Sequence, residues 1–334
     1  MLFLLCLGAA TLESRRERNK FKALCTATRP RHDKLMTTIQ AVYQRLTANG
    51  RGALWMLGSA LAFTLMTTLI KYLGDEYSPA LQTFYRQLAG LVVLAPVILR
   101  DPRGAFAAKR YDILLFRSTA GTLAVILSFY AYQAMPLAEA NALSFTRALW
   151  IVPLAIFALR ETVGPWRIGA TLVGFLGVLV MLRPSTTMTV SWPALAALAA
   201  AALFAATITG MKVLTRDHSL TALTVWSAVL GLVFAAPFAL LEWRWPTASD
   251  LALLATMGVA GLGAQVCYIK GMSLGDAAAM APIDYTRLVF ALIVGFALFR
   301  EMPDLITMAG AAIVVAATLV ITLREQRKPA AAPE

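Results

Sequence analysis

Residues 143–152 read LSFTRALWIV, and residues 283–292 read IDYTRLVFAL. Each sets one arginine, Arg147 or Arg287, behind a threonine in the middle of an apolar run. Those runs decide the fold. Each is about 20 residues long, the length of helix that crosses a bilayer. The rest of the chain repeats the pattern: 59% of residues are hydrophobic and only 14% charged, where a soluble domain carries about a quarter. Ten spans are predicted, near 53–73, 80–99, 113–133, 137–159, 166–183, 192–212, 220–241, 250–270, 276–299 and 304–323. The runs are continuous and rich in Ala and Leu, without period-two alternation, so helices are expected rather than a barrel. Pro96, Pro153, Pro237 and Pro282 lie within or beside them, which membrane helices tolerate because neighbouring groups re-satisfy the freed carbonyls.

Basic residues set the orientation. With ten spans both termini share a side, and that side collects 22 of the 30 Lys and Arg residues, including ten between Arg15 and Arg51. The other side keeps four: Lys71, Arg183, Arg244 and Arg300. Both termini are therefore expected in the cytoplasm. The net charge of +12 is mostly this bias, and no nucleic-acid partner is needed to explain it. Four arginines remain inside spans: Arg86, Arg117, Arg147 and Arg287. Arg147 and Arg287 fall near the midplane, where an arginine costs roughly 2.5–3.5 kcal/mol on insertion scales.

The pairing of the two segments extends along the chain. A shift of 141 superposes Phe63 on Phe204, Lys71 on Lys212, Gly90-Leu91-Val92 on Gly231-Leu232-Val233 and Ala95-Pro96 on Ala236-Pro237. At 137, Gly121 meets Gly258, and Glu139 stands opposite Asp276. At 140, Thr146-Arg147 meets Thr286-Arg287, and Arg160-Glu161 meets Arg300-Glu301. Two halves of five helices follow, 52–183 and 192–324. They are joined by a linker at 184–191 and flanked by a basic tail (1–51) and a short tail (325–334). An odd helix number per half inverts the second half in the membrane. Inverted repeats of this kind place a substrate site at the midplane between the halves.

FYRQLAGLVVLAP (84–96), FYAYQAMPLAEANALSFT (129–146) and ALRETVGPWRIGATLVGFLGVLVMLRP (158–184) resemble the drug/metabolite transporter superfamily, EamA type. The likeness covers about residues 52–325. It implies a bacterial inner-membrane carrier for small organic metabolites, with a central cavity lined largely by spans 1, 3, 4, 6, 8 and 9. The phrasing of spans 2–4 is nearest to members that take up S-adenosylmethionine or riboflavin. Relatives usually carry small residues or proline after the Phe-Thr of span 4. Arg147 departs from that pattern.

Arg147 and Arg287 are the candidate ligands for an anionic group such as a carboxylate or phosphate, because intramembrane charges normally face a bundle interior or water-filled path. The competing reading is an internal ion pair: Asp284 lies three residues before Arg287, on one helix face, whereas Ser144 holds that place before Arg147. Trp150, Tyr130, Tyr132, Tyr268, Tyr285 and Phe290 are candidates to stack on a planar substrate, although aromatics in membrane helices are more often packing or interfacial residues. Glu139 and Asp276 begin spans 4 and 9, either as helix-dipole partners or as coupling or gating carboxylates. Arg86 reads as structural, and Arg117 as a snorkelling side chain. Ala170-xxx-Gly174 and Ala312-xxx-Ala316 on spans 5 and 10 permit close helix contact and a homodimer.

No cofactor or metal is implied. The histidines, His32 and His218, form no cluster with carboxylates, and the three cysteines share no metal or redox spacing. A membrane enzyme would need such a cluster, and ATP-driven transport would need a phosphate-binding loop that the chain lacks. An efflux carrier or a lipid flippase on the same fold stays open as an alternative to uptake. MLFLLCLGAA at the start is too short to span and has no preceding positive charge, unlike a signal peptide. Met36 is an alternative start.

Overall fold

The computed structural model describes residues 47–107, 109, 111–157, 165–182, 191–214, 220–274, 280 and 283–325. Among them the regular structure is helical. The elements are α1 (Ala48–Tyr72), α2 (Pro79–Arg100), α3 (Pro102–Ala105), α4 (Tyr111–Ala134), α5 (Leu137–Ser144), α6 (Arg147–Phe157), α7 (Pro165–Leu182), α8 (Trp192–Leu214), α9 (Leu220–Leu241), α10 (Ala248–Leu274), α11 (Thr286–Phe299) and α12 (Leu305–Glu325). Starts are marked in the sequence. Thr47 and Asp101 accept from the amides of Gly50 and Gly104 at 3.1 and 2.9 Å, satisfying donors that a first turn leaves open. The Thr247 hydroxyl accepts from the Asp250 amide at the head of α10. Proline opens α2, α3 and α7, where its missing N–H costs nothing.

The helices pack in pairs that cross between the two halves. α1 lies along α10 and α4 along α8, while α2 meets α9 and α7 meets α12. The last pair is held by small residues. A Cβ on Gly177 would come within 2.8 Å of Ile313 Cγ2, and one on Gly310 within 2.6 Å of Met181 Cγ. Gly174, expected at a dimer face, is buried against Leu149 and Ala317 inside the chain, whereas Ala312 and Ala316 stay exposed.

Outward faces are apolar. Leu172, Val173, Leu176 and Leu179 project from α7, and Val289, Ile293, Phe296 and Leu298 from α11. Such stripes suit lipid rather than water. Among the described residues four helices, α1, α4, α9 and α10, are long and apolar enough to cross a bilayer.

One span departs from a single rod. The stretch expected at 137–159 is two helices, α5 and α6, which meet at Phe145-Thr146. There the amides of Phe145 and Thr146 reach back only three residues, to Ala142 and Leu143, and the Thr146 hydroxyl also donates to the Leu143 carbonyl at 2.6 Å. The second half repeats the device. α11 starts only at Thr286, whose hydroxyl donates to Ile283 at 2.7 Å. Both arginines of the opening segments thus stand in the first turn of a helix that begins inside the bundle.

Candidate substrate cavity

The restarted helices border a central cavity of about 260 Å³. Its wall takes Ser59 and Phe63 from α1, Arg86 from α2, Ser128 and Tyr132 from α4, Ser144 from α5 and Arg147 from α6. Phe204 of α8, Gln265 and Tyr268 of α10 and Arg287 of α11 close the ring. The lining therefore matches the spans that the resemblance implied, with Arg86 added from the second.

The two paired arginines differ in environment. Arg287 is buried and shares a charge-assisted hydrogen bond with the Asp284 carboxylate, and its Nε donates to the Asp284 carbonyl. Its guanidinium is sandwiched between Phe63 and Phe145, at 4.7 and 4.9 Å from the ring centroids. This is a satisfied cation. The Arg147 side chain is 34% exposed, and its nearest carboxylate oxygen is the same Asp284 Oδ2, 3.8 Å away. That distance is too long for a hydrogen bond, and the carboxylate is already engaged by Arg287. Three arginines and one aspartate thus meet around the cavity, and of the two arginines beside Asp284 it is Arg147 that has donors to spare.

The aromatic candidates divide. Tyr285 stacks on Phe145 at 4.5 Å and bonds Thr318, and Trp150 meets Phe175 edge-on at 5.1 Å. Tyr130 is on the outer surface. Tyr132 and Tyr268 stand on the cavity wall. Glu139 lines a separate apolar pocket with Leu288, Leu292 and Met308, and Asp276 lies outside the described residues. Arg86, expected to be structural, is a wall residue. Arg117 turns inward to donate to Ser227 Oγ at 2.6 Å instead of snorkelling outward. No group of His, Cys, Asp or Glu suited to a metal occurs among the described residues.

The end of the bundle where α1 stops is tied shut between the halves. The Lys71 ammonium pairs with the Glu301 carboxylate and donates to the Met135 carbonyl at 2.7 Å, while Glu301 Oε2 accepts from the Leu137 amide at 3.0 Å. Nearby, Tyr77 of the α1–α2 loop donates to Asp250 at 2.9 Å. At the opposite end a second cavity of about 300 Å³ adjoins the first, sharing Arg86, Val125, Phe204, Gly261 and Gln265. The central space therefore connects toward the end where α4 begins.

Two segments of the chain, residues 50–183 and 191–323, match the EamA-like transporter family. The chain belongs to that family. It is 30% identical over 279 residues to the S-adenosylmethionine uptake transporter of Rickettsia prowazekii, covering 83% of this chain and 94% of that protein. It is also 30% identical to the riboflavin transporter of Rhizobium johnstonii over 290 residues, 84% and 94% of the two chains. The pseudopaline exporter CntI of Pseudomonas aeruginosa is similar at 24% identity, over 81% of this chain and 95% of the exporter. A crystal structure superposes with a TM-score of 0.56 at 19% identity, covering 84% of this chain and all of that one; this is a likeness of fold alone. This EamA protein is a membrane transporter whose helices enclose the cavity just described.

Residue type and local spacing do not mark Lys71 and Glu301 as a pair. The signal was present, because the repeat returns them as Lys212 and Glu161.

Proposed function

We propose that this chain is a ten-span secondary transporter of a small organic metabolite bearing a carboxylate, a phosphate or a zwitterionic head. It works by alternating access, with the substrate held between two inverted repeats. The observation that carries the reading is Arg147: a cavity-lining guanidinium without a hydrogen bond, 3.8 Å from a carboxylate that another arginine holds. An anion from the substrate supplies what Arg147 lacks. The starts of α6 and α11 favour it further, because the positive end of a helix dipole attracts negative charge.

The crossed pairing of α1 with α10 and α4 with α8 supports a two-fold relation between the halves. With both termini in the cytoplasm, the Lys71–Glu301 end faces the periplasm and the cavity is reached from the cytoplasm. S-adenosylmethionine-like and riboflavin-like molecules are the first substrates to test, since relatives carrying those names cover nearly their full length. Tyr132, Tyr268 and Phe204 give the wall the aromatic faces such planar bases need. Export, as named for the pseudopaline relative, is the second reading. Ala312 and Ala316 leave a small-residue face on α12 for a second copy.

Two experiments test this. Reporter fusions at Gly74 and Ala138 are expected to read periplasmic, and fusions at Gly104 and Arg216 cytoplasmic; a cytoplasmic reading at Ala138 would contradict the ten-span topology. Liposomes holding the purified protein, offered labelled metabolites with and without a pH gradient, are expected to accumulate an anionic or zwitterionic solute. Accumulation of neutral or purely cationic solutes alone would contradict the role given to Arg147.

A further inference from the structure

The second cavity carries a charge that no group on its wall balances. Arg86 and Arg117 both line it, and among the described residues no carboxylate does. The two guanidiniums are fixed by a strip of neutral groups. Arg86 Nη2 reaches Gln87 Oε1 at 3.4 Å, Gln87 Nε2 donates to the Ser227 carbonyl at 3.2 Å, and Arg117 Nη1 donates to Ser227 Oγ. Each contact uses one donor of a five-donor fork. What is left over is buried and unmatched. Arg86 Nε, Arg117 Nε and Ser118 Oγ all lack a partner, which is three of the seven such buried atoms among the described residues. Ser118 is only 4% exposed. Buried polar groups are normally paired, so a cluster of orphans on one wall marks a place where a ligand completes the bonding.

The repeat sharpens the point. Gly90 and Gly231 pair at a shift of 141, which sets Ser227 opposite Arg86; Gly121 and Gly258 pair at 137, which sets Leu254 opposite Arg117. The second half therefore has no counterpart of this basic strip, so the strip is not a by-product of the duplication.

We infer that this cavity is an oxyanion-binding vestibule, built by Arg86, Arg117 and Ser118 to take a soluble, doubly charged oxyanion of the phosphate class. Two uncompensated cations match two negative charges, and the unpartnered hydroxyl of Ser118 offers a further donor to its oxygens. The ligand is soluble rather than a lipid headgroup because the vestibule continues into the central cavity through five shared wall residues. The site is independent of the role given to Arg147, and its test separates the two.

The probe is inorganic [32P]phosphate, with equilibrium binding measured on the full-length protein in neutral detergent. Wild type is expected to bind it saturably. Arg117→Gln should weaken binding at least ~10-fold, the equivalent of one charge-assisted hydrogen bond lost, whereas Arg244→Gln, exposed and on the wall of neither cavity, should bind as wild type does. Gly121→Leu fills the cavity without removing a charge, since a Cβ there meets only Thr207 Cγ2 at 3.8 Å, and it should abolish binding. Absence of saturable binding, or an Arg117→Gln protein equal to wild type, would overturn the inference. Displacement of the label by micellar phosphatidylglycerol but not by phosphatidylcholine would overturn the soluble-ligand assignment and give the site to lipid.

Discussion

An Arg147→Ala protein should reach the membrane at wild-type abundance and carry substrate roughly a hundredfold more slowly at sub-saturating concentration. The two effects have separate causes. Taking a guanidinium out of the middle of a span removes an insertion cost of roughly 2.5–3.5 kcal/mol. No internal bond is broken in exchange, because Arg147 sits 3.8 Å from Asp284 and donates no hydrogen bond. What is lost is the partner for the substrate anion, so the change should appear mainly as weaker apparent affinity. Arg147→Lys should recover part of the rate. An ammonium restores the charge but not the two-pronged geometry that a carboxylate or phosphate prefers. Uptake assays normalised to membrane abundance check all three proteins.

Asp284→Asn should act on the other side of the ledger, on abundance. Its carboxylate is the counter-ion of Arg287, a residue only 6% exposed. Removing it leaves Arg287 unpaired between Phe63 and Phe145 and puts Arg147 beside an uncompensated like charge. Breaking a buried pair from one side costs about 3–5 kcal/mol, enough to remove most of a protein of ordinary stability. Asp284→Asn/Arg287→Gln should restore abundance, because neither partner is then stranded. Quantitative detection in membranes and thermal unfolding in detergent are the measurements. An Asp284→Asn protein as abundant and as stable as wild type would show that Arg287 has another counter-ion.

Much of this was legible in the sequence, for definable reasons. Apolar runs of bilayer length have few alternatives, and the described helices other than α3 overlap the stretches expected for them. Arg147 and Arg287 stood out because a midplane charge is costly, and the partnership of Asp284 with Arg287 followed from three-residue spacing on a helix. The break of the fourth span did not show. It is made by Thr146 bonding back to Leu143, and threonine occurs in unbroken helices as well: Thr64 bonds back to Ala60 inside α1. Side-chain direction was equally hidden. Trp150, Tyr130, Tyr132, Tyr268 and Tyr285 are alike as residue types, and only packing decides that Tyr132 and Tyr268 reach the cavity. The Lys71–Glu301 contact joins residues 230 apart in the chain, beyond any local rule, and only the internal repeat hinted at it.

The central claim is that a substrate anion answers Arg147 in the cavity between the repeats. Counterflow in liposomes tests it most directly, comparing the carried metabolite with its analogue lacking the anionic group, in wild type and in Arg147→Ala. Wild type should prefer the anionic form by ~10-fold or more, the discrimination expected when a site's charged donor loses its partner, and Arg147→Ala should treat the two forms alike. Equal transport of both forms by wild type, or an undiminished preference in Arg147→Ala, would contradict it.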